Sequence, residues 1–327
     1  MIELKNDRLI FHFPEVHPKA RCTVEFQRTL RLPDDNREYP LPPGLGSFPL
    51  MHVDDLGERL PAAWGKRGGV FFPMYQAEAM WINFHTDYPF AIKVAAGKIN
   101  AVTGDAWSNE LHGDPQDYLV IPDQPWLDGF CVAKGQIRQF VAMPLGTGYT
   151  AEEQLTGKAK HGGIQIIAYP MKRQAYEKFI ANRPLFMRCD EMVISESAAP
   201  MDMGLAPGGL MRQEIYEDDY GLDAWETEVF SRCYVHIANS QAYRELTGHP
   251  PPTEAPTAKA YTQAGLPWFE YYAENTTALP GSQTLGGLDS VAAKGVKKGE
   301  TPLPENDPVE PVHIKKLGAT VVREGEF

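Results

Sequence analysis

No cysteine pair, no long apolar run, no nucleophile elbow and no metal-ligand spacing occurs in this sequence, and each absence removes a class of function. Cys22, Cys131, Cys189 and Cys233 are scattered without a CxxC pair, so neither a zinc ribbon nor a redox motif is encoded. They are expected as free thiols in a reducing compartment. No apolar run approaches the roughly 18 residues that cross a bilayer as a helix. Met1 to Phe13 mixes Glu3, Lys5, Asp7 and Arg8 with single apolar residues and lacks the apolar core of a signal peptide. A cytoplasmic protein with no membrane partner is the expectation. Positive charge is also scarce: 31 Lys and Arg stand against 43 Asp and Glu, a formal net charge of −12. A field of that sign repels nucleic-acid phosphates, so no nucleic-acid partner is expected.

What is present is enough apolar material for one sizeable core. Of 327 residues, 43% are hydrophobic and 11% aromatic, which offsets the conformational entropy of folding and excludes global disorder. From Arg21 to Leu32 the chain alternates. Cys22, Val24, Phe26, Leu30 and Leu32 oppose Arg21, Thr23, Glu25, Gln27, Thr29 and Arg31, with Arg28 the exception. Period two predicts a strand with one buried and one wet face in an antiparallel sheet. Glu228 to Ala238 repeats the pattern. Shorter strands are predicted at 90–96, 98–103, 118–121, 136–143, 164–169 and 211–216.

Helices are expected to be few. Pro73 suits the first turn of a helix to about Asn83. Thr150-Ala-Glu-Glu153 is a capping box that opens a short helix ended by Gly157. Further helices are predicted over 173–182, over 241–247 under a Ser240 cap, over 257–264 and over 267–275. Strands outnumber helices without a βαβ rhythm, so the fold class is α+β and β-rich, a mainly antiparallel sandwich or barrel-like sheet with short helices. The expected organisation is an N-terminal segment 1–20, a globular domain 21–275 with a weak boundary near 195–209, and a Gly/Pro-rich tail or extended arm 276–327.

Three constellations carry chemistry. His112, Asp114 and Asp117 place an imidazole among carboxylates, the set needed for a base and its orienting partner or for metal ligands; His52 and His85 sit in similar His/Asp turns. Gly146-Thr147-Gly148-Tyr149-Thr150 lies before a helix start, where free N–H groups attract an anion, although an ordinary capped turn has the same sequence. Glu228, Arg232 and His236, with Tyr234, share one face of the second strong strand, as a charge ladder or a polar ligand platform.

Several longer motifs add a resemblance. Phe26-Gln-Arg-Thr-Leu-Arg-Leu-Pro-Asp34, Tyr39-Pro-Leu-Pro-Pro-Gly-Leu-Gly46, Gly68-Gly-Val-Phe-Phe-Pro-Met-Tyr75, Lys93-Val-Ala-Ala-Gly-Lys98 and Arg138-Gln-Phe-Val-Ala-Met-Pro-Leu-Gly146 belong to the set. The sequence over residues 23 to 275 resembles an uncharacterised family of bacterial hypothetical proteins. That resemblance implies a coherent natural domain and carries over no activity, cofactor or catalytic residue.

Three functions follow from the sequence, in this order. The first is a non-catalytic protein that binds a partner or assembles with itself through the C-terminal arm. The second is a His/carboxylate enzyme, acid–base or metal-assisted, and the third an anion-binding protein. No cofactor is named by any motif.

Overall fold

The computed structural model describes residues 1–35, 37–181, 202–257, 267–271, 276–300, 309, 311 and 314–317. Cys189, the expected boundary at 195–201 and most of the helix expected over 257–264 lie outside them. The β-rich class holds. Among the described residues two large sheets face each other, with short helices at their margins and no closed barrel.

The first sheet runs Ile2–Lys5, Arg8–His12, Arg21–Thr29, Ala79–His85, Gln136–Pro144, Met203–Arg212 and Glu38–Tyr39, with Trp126–Leu127 and Gly129–Ala133 attached. The second runs Leu119–Ile121, Phe90–Ala96, Ile164–Pro170, Ser231–Ala238, Val70–Pro73 and Met51–His52, with Ile99–Asn100 on Phe90–Ala96. Within these two sheets pairing is antiparallel except where Met203–Arg212 meets Glu38–Tyr39 and Ser231–Ala238 meets Val70–Pro73. Val24, Phe26 and Ile82 from one sheet and Ile92, Ile166 and Val235 from the other join a single buried cluster. This is the sandwich arrangement, in which alternate residues of both inner faces make the core.

Most of the predicted strands form near their expected places, with 98–103 reduced to Ile99–Asn100, but their environment differs. Arg21–Thr29 forms as expected, but its second face is not wet: Glu25, Gln27 and Thr29 are buried as deeply as Val24 and Phe26. The proline-rich loop after Glu38–Tyr39 covers it. Phe48 N–H donates to Phe26 O at 2.8 Å and Arg28 N–H to Gly46 O at 2.8 Å, so this loop continues the strand edge that Arg8–His12 vacates beyond Val24. Beneath it Glu25 meets Arg8 at 2.7 Å, and Gln27 donates to both Glu25 and Ser47 at 3.0 Å. Buried polar groups persist here because they are bonded to one another.

Four further expectations change. The helix foreseen from Pro73 is the strand Ala79–His85, held between Arg21–Thr29 and Gln136–Pro144; ladder pairing overrides a weak local signal. Met203–Arg212, not 211–216, is the strand beside Gln136–Pro144, despite Pro207, Gly208 and Gly209. The strand Trp268–Tyr271 replaces the last helix and pairs in parallel with Ile314–Leu317. The chain termini are also less separate than expected. Ile2–Lys5 and Arg8–His12 belong to the first sheet, and Leu9, Phe11 and Phe13 are buried. Residues 276–300 fold back onto the body, where Leu285 is fully buried and Ser282 Oγ donates to Thr103 O at 2.5 Å. No helix among the described residues is long and apolar enough to cross a membrane.

Candidate functional site

Phe90–Ala96 is an apolar strand with one lysine in it. Ile92 and Val94 point into the sandwich core, so period two sends Lys93 to the opposite face of the second sheet. That face is covered by the stretch between Ile99–Asn100 and Leu119–Ile121, and Lys93 is almost wholly buried under it. Its ammonium donates to Asp117 Oδ2 at 2.6 Å, to Ser108 Oγ at 3.3 Å and to the carbonyl of Glu110, and lies 5.6 Å from the centre of the Trp107 ring.

Asp117 reaches Lys93 because its own segment is a tight hairpin. Gly113 bridges Gln116, and Asp117 N–H donates to His112 O at 3.1 Å. Asn100 Nδ2 donates to Asp117 O at 2.7 Å and pins the returning limb to the sheet. The carboxylate then closes on the hairpin's start: Oδ1 accepts from His112 N–H at 2.9 Å, and Oδ2 lies 2.8 Å from His112 Nδ1. A carboxylate salt-bridged to an ammonium can only accept, so Nδ1 carries a proton, and in the neutral ring the lone pair sits on Nε2. The His112 side chain is half exposed, whereas those of Lys93 and Asp117 are buried.

Of the three residues singled out here from sequence, the structure therefore joins His112 and Asp117 and leaves Asp114 out. Asp114 sits exposed at the hairpin tip and, among the described residues, bonds to no other group. It borders a cleft of about 750 Å³ that also meets Asp105, Glu217 and Asp218. Asp218 is committed to structure, accepting from Tyr118 OH at 2.5 Å and Trp225 Nε1 at 2.8 Å. His52 and His85 do not converge on His112. His85 belongs to the first sheet, 2.7 Å from Asn83 Nδ2 and 3.6 Å from Glu25. Among the described residues no three His, Cys, Asp or Glu side chains gather to hold a metal.

The glycine turn has an occupant of its own. Gly146 and Gly148 adopt positive φ of 88° and 78°, and their N–H groups both donate to Glu153 Oε1 at 2.8 Å. The other carboxylate oxygen accepts from Thr150 Oγ1 at 2.8 Å and from Thr150 N–H at 3.3 Å, and Glu153 N–H donates to Thr150 Oγ1 at 3.2 Å, which completes the capping box. The donors reserved for an external anion are satisfied by the carboxylate seven residues on.

The third constellation is on one face but not in water. Arg232, Tyr234 and His236 alternate along Ser231–Ala238 as expected, while Glu228 lies before that strand begins. His236 is buried between Trp64, stacked at 4.4 Å, and Tyr234, and its Nε2 donates to Gly68 O at 3.1 Å. Burial pushes its pKa down to about 4, so it is neutral. Arg232 stays exposed and donates to Asn109 Oδ1 at 3.3 Å. Cys22, Cys131 and Cys233 are buried free thiols; burial pushes Cys131 and Cys233 up to about 12, which leaves them unreactive.

Sequence reasoning missed Lys93, and the signal was present: a lone lysine at the centre of Phe-Ala-Ile-Lys-Val-Ala-Ala. No protein-family model, curated protein or solved structure matches this chain.

Proposed function

We propose that this protein is a proton-transfer enzyme whose working group is the His112 imidazole, with Asp117 as its positioning partner and Lys93 as the anchor of Asp117. One observation carries the reading: Asp117 Oδ2 is shared between Lys93 Nζ at 2.6 Å and His112 Nδ1 at 2.8 Å. The buried ion pair fixes the carboxylate, the carboxylate fixes the tautomer and ring plane, and Nε2 is left on the accessible side. There it takes a proton from a substrate C–H or from water, and Asp117 balances the imidazolium that forms. Among the described residues the His112 ring bonds to no Ser, Thr or Cys, so the site supplies a base rather than a base–nucleophile couple.

This reading is preferred to partner binding through the C-terminal arm, since residues 276–300 and 314–317 pack against their own chain. Two generic assays test it: loss of the α-proton signals of carbonyl compounds in D2O, followed by NMR, and hydrolysis of 4-nitrophenyl acetate. At least one rate should exceed buffer and fall about 100-fold in His112→Asn, the scale of general-base catalysis. Equal rates in wild type and variant, or no rate in either assay, would sink the proposal.

A further inference from the structure

Tyr169 has a buried hydroxyl that meets no partner among the described residues. It lies on Ile164–Pro170, is 2% exposed, and its OH has no hydrogen-bond partner among the described residues. Several other buried tyrosines have hydroxyl partners. Tyr88 OH donates to Met171 O at 2.6 Å, Tyr118 to Asp218 at 2.5 Å, and Tyr234 to Gly162 O at 2.7 Å. An unmet buried hydroxyl opposes folding, and phenylalanine fills the same space without that penalty. A polar atom kept at such a place points to a role outside the fold.

Its position supplies the role. Ile167 pairs with Lys93 on one side and Arg232 on the other, and Tyr169, two residues along, shares their face of the sheet. The exposed ring of Phe230 lies 5.3 Å from that of Tyr169. Burial pushes the Tyr169 hydroxyl well above the usual phenol range, and the nearby Asp117 charge pushes the same way, so it stays a protonated donor. One group of side chains thus offers a hydrogen-bond donor, an exposed guanidinium and an apolar ring next to the Asp117 that orients His112.

We infer that Tyr169 is a ligand-binding residue of the His112 site, donating to an oxygen of a small aromatic or branched carboxylate whose charge pairs with Arg232 and whose apolar part lies on Phe230. The assignment of this ligand to a reaction rests on the proposal for His112; the binding itself does not. Entry requires the covering segment near Asn109 to lift, and the ligand's carboxylate replaces Asn109 as the partner of Arg232. Arginine favours such an exchange, since a carboxylate bond is stronger than one to a neutral amide.

Phenylacetate is the probe, with 2-phenylethylamine as its cationic counterpart, and calorimetry on the full chain is the readout. Phenylacetate should bind wild type saturably at millimolar concentration while the amine does not. Tyr169→Phe and Arg232→Gln should each weaken it about fivefold or more, the loss of one charge-assisted hydrogen bond. Tyr169→Phe should meanwhile melt no lower than wild type, because it removes an unsatisfied group rather than a structural bond. Unchanged affinity in Tyr169→Phe, or no saturable phenylacetate binding to wild type, overturns the inference. Binding retained in His112→Asn, together with a failed proton-transfer assay, would overturn only the reaction and leave the site standing.

Discussion

Lys93 is the only cation in its strand, and its ammonium reaches Asp117 without leaving the protein interior. Removing one partner of such a pair is far more damaging than its net contribution suggests, because the other charge stays buried and alone. Asp117→Asn should therefore cost about 3–5 kcal/mol in urea unfolding, whereas Asp114→Asn, exposed and unbonded, should stay within about 0.5 kcal/mol. Similar losses for both would mean that the ion pair is not the anchor described. Asp128 tests a different kind of burial. Among the described residues its only side-chain partner is Gln213, at 2.7 Å, and burial pushes its pKa up to about 7. The folded protein then holds a proton that the unfolded chain has already released, so stability falls as pH rises from about 4 to 7. Asp128→Asn should flatten that part of the pH–stability curve, and an unchanged slope would assign the effect elsewhere.

Among the elements, Met203–Arg212 shows how a segment that reads as a loop becomes a strand. Its glycines admit neighbours that no side chain would. A Cβ on Gly208 would come within 2.5 Å of Val141 Cγ2, and one on Gly209 within 2.6 Å of Pro33 O. Pro207 pairs with Phe140 beside a register shift, the kind of place a strand tolerates proline. Gly209→Ala should cost about 2–3 kcal/mol by chemical denaturation, as overpacking against fixed backbone does. The capped turn makes a second element-scale test. Glu153 serves the N–H groups of Gly146, Gly148 and Thr150, so Glu153→Ala should cost about 1–2 kcal/mol, a strong capping interaction. If that substitution instead left stability unchanged, the turn's donors would have to be satisfied by something other than Glu153.

For the whole molecule, the decisive feature is that residues 276–300 belong to its body. Leu279, Leu285 and Leu288 enter the same core cluster as the two sheets, and Gly281 lies so close to Ala133 that a Cβ there would sit 2.4 Å from its Cα. Leu285→Ala should lower stability by about 2–5 kcal/mol, the usual cost of a core leucine. Ending the chain at residue 275 should prevent cooperative unfolding at the native temperature. A truncated protein as stable as the full chain would restore the picture of a separate tail.

The alternation at Arg21 to Leu32, the apolar runs at 90–96 and 164–169, and the capping box at Thr150 were legible in the sequence because each rests on contacts within a few residues. They determined a β-rich chain with short, capped helices, and they brought His112 and Asp117 under suspicion together. Tertiary structure alone decided the rest. Glu25 and Gln27 look solvent-facing until a proline-rich loop covers them, and Gly146 to Thr150 looks open until Glu153 folds back. Lys93 and Tyr169 stand far apart in the chain from His112, and only the pairing of their strands sets them around one carboxylate. The face of a strand is written in its own period; what covers that face is a property of distant segments, and here the candidate site is built from what covers it.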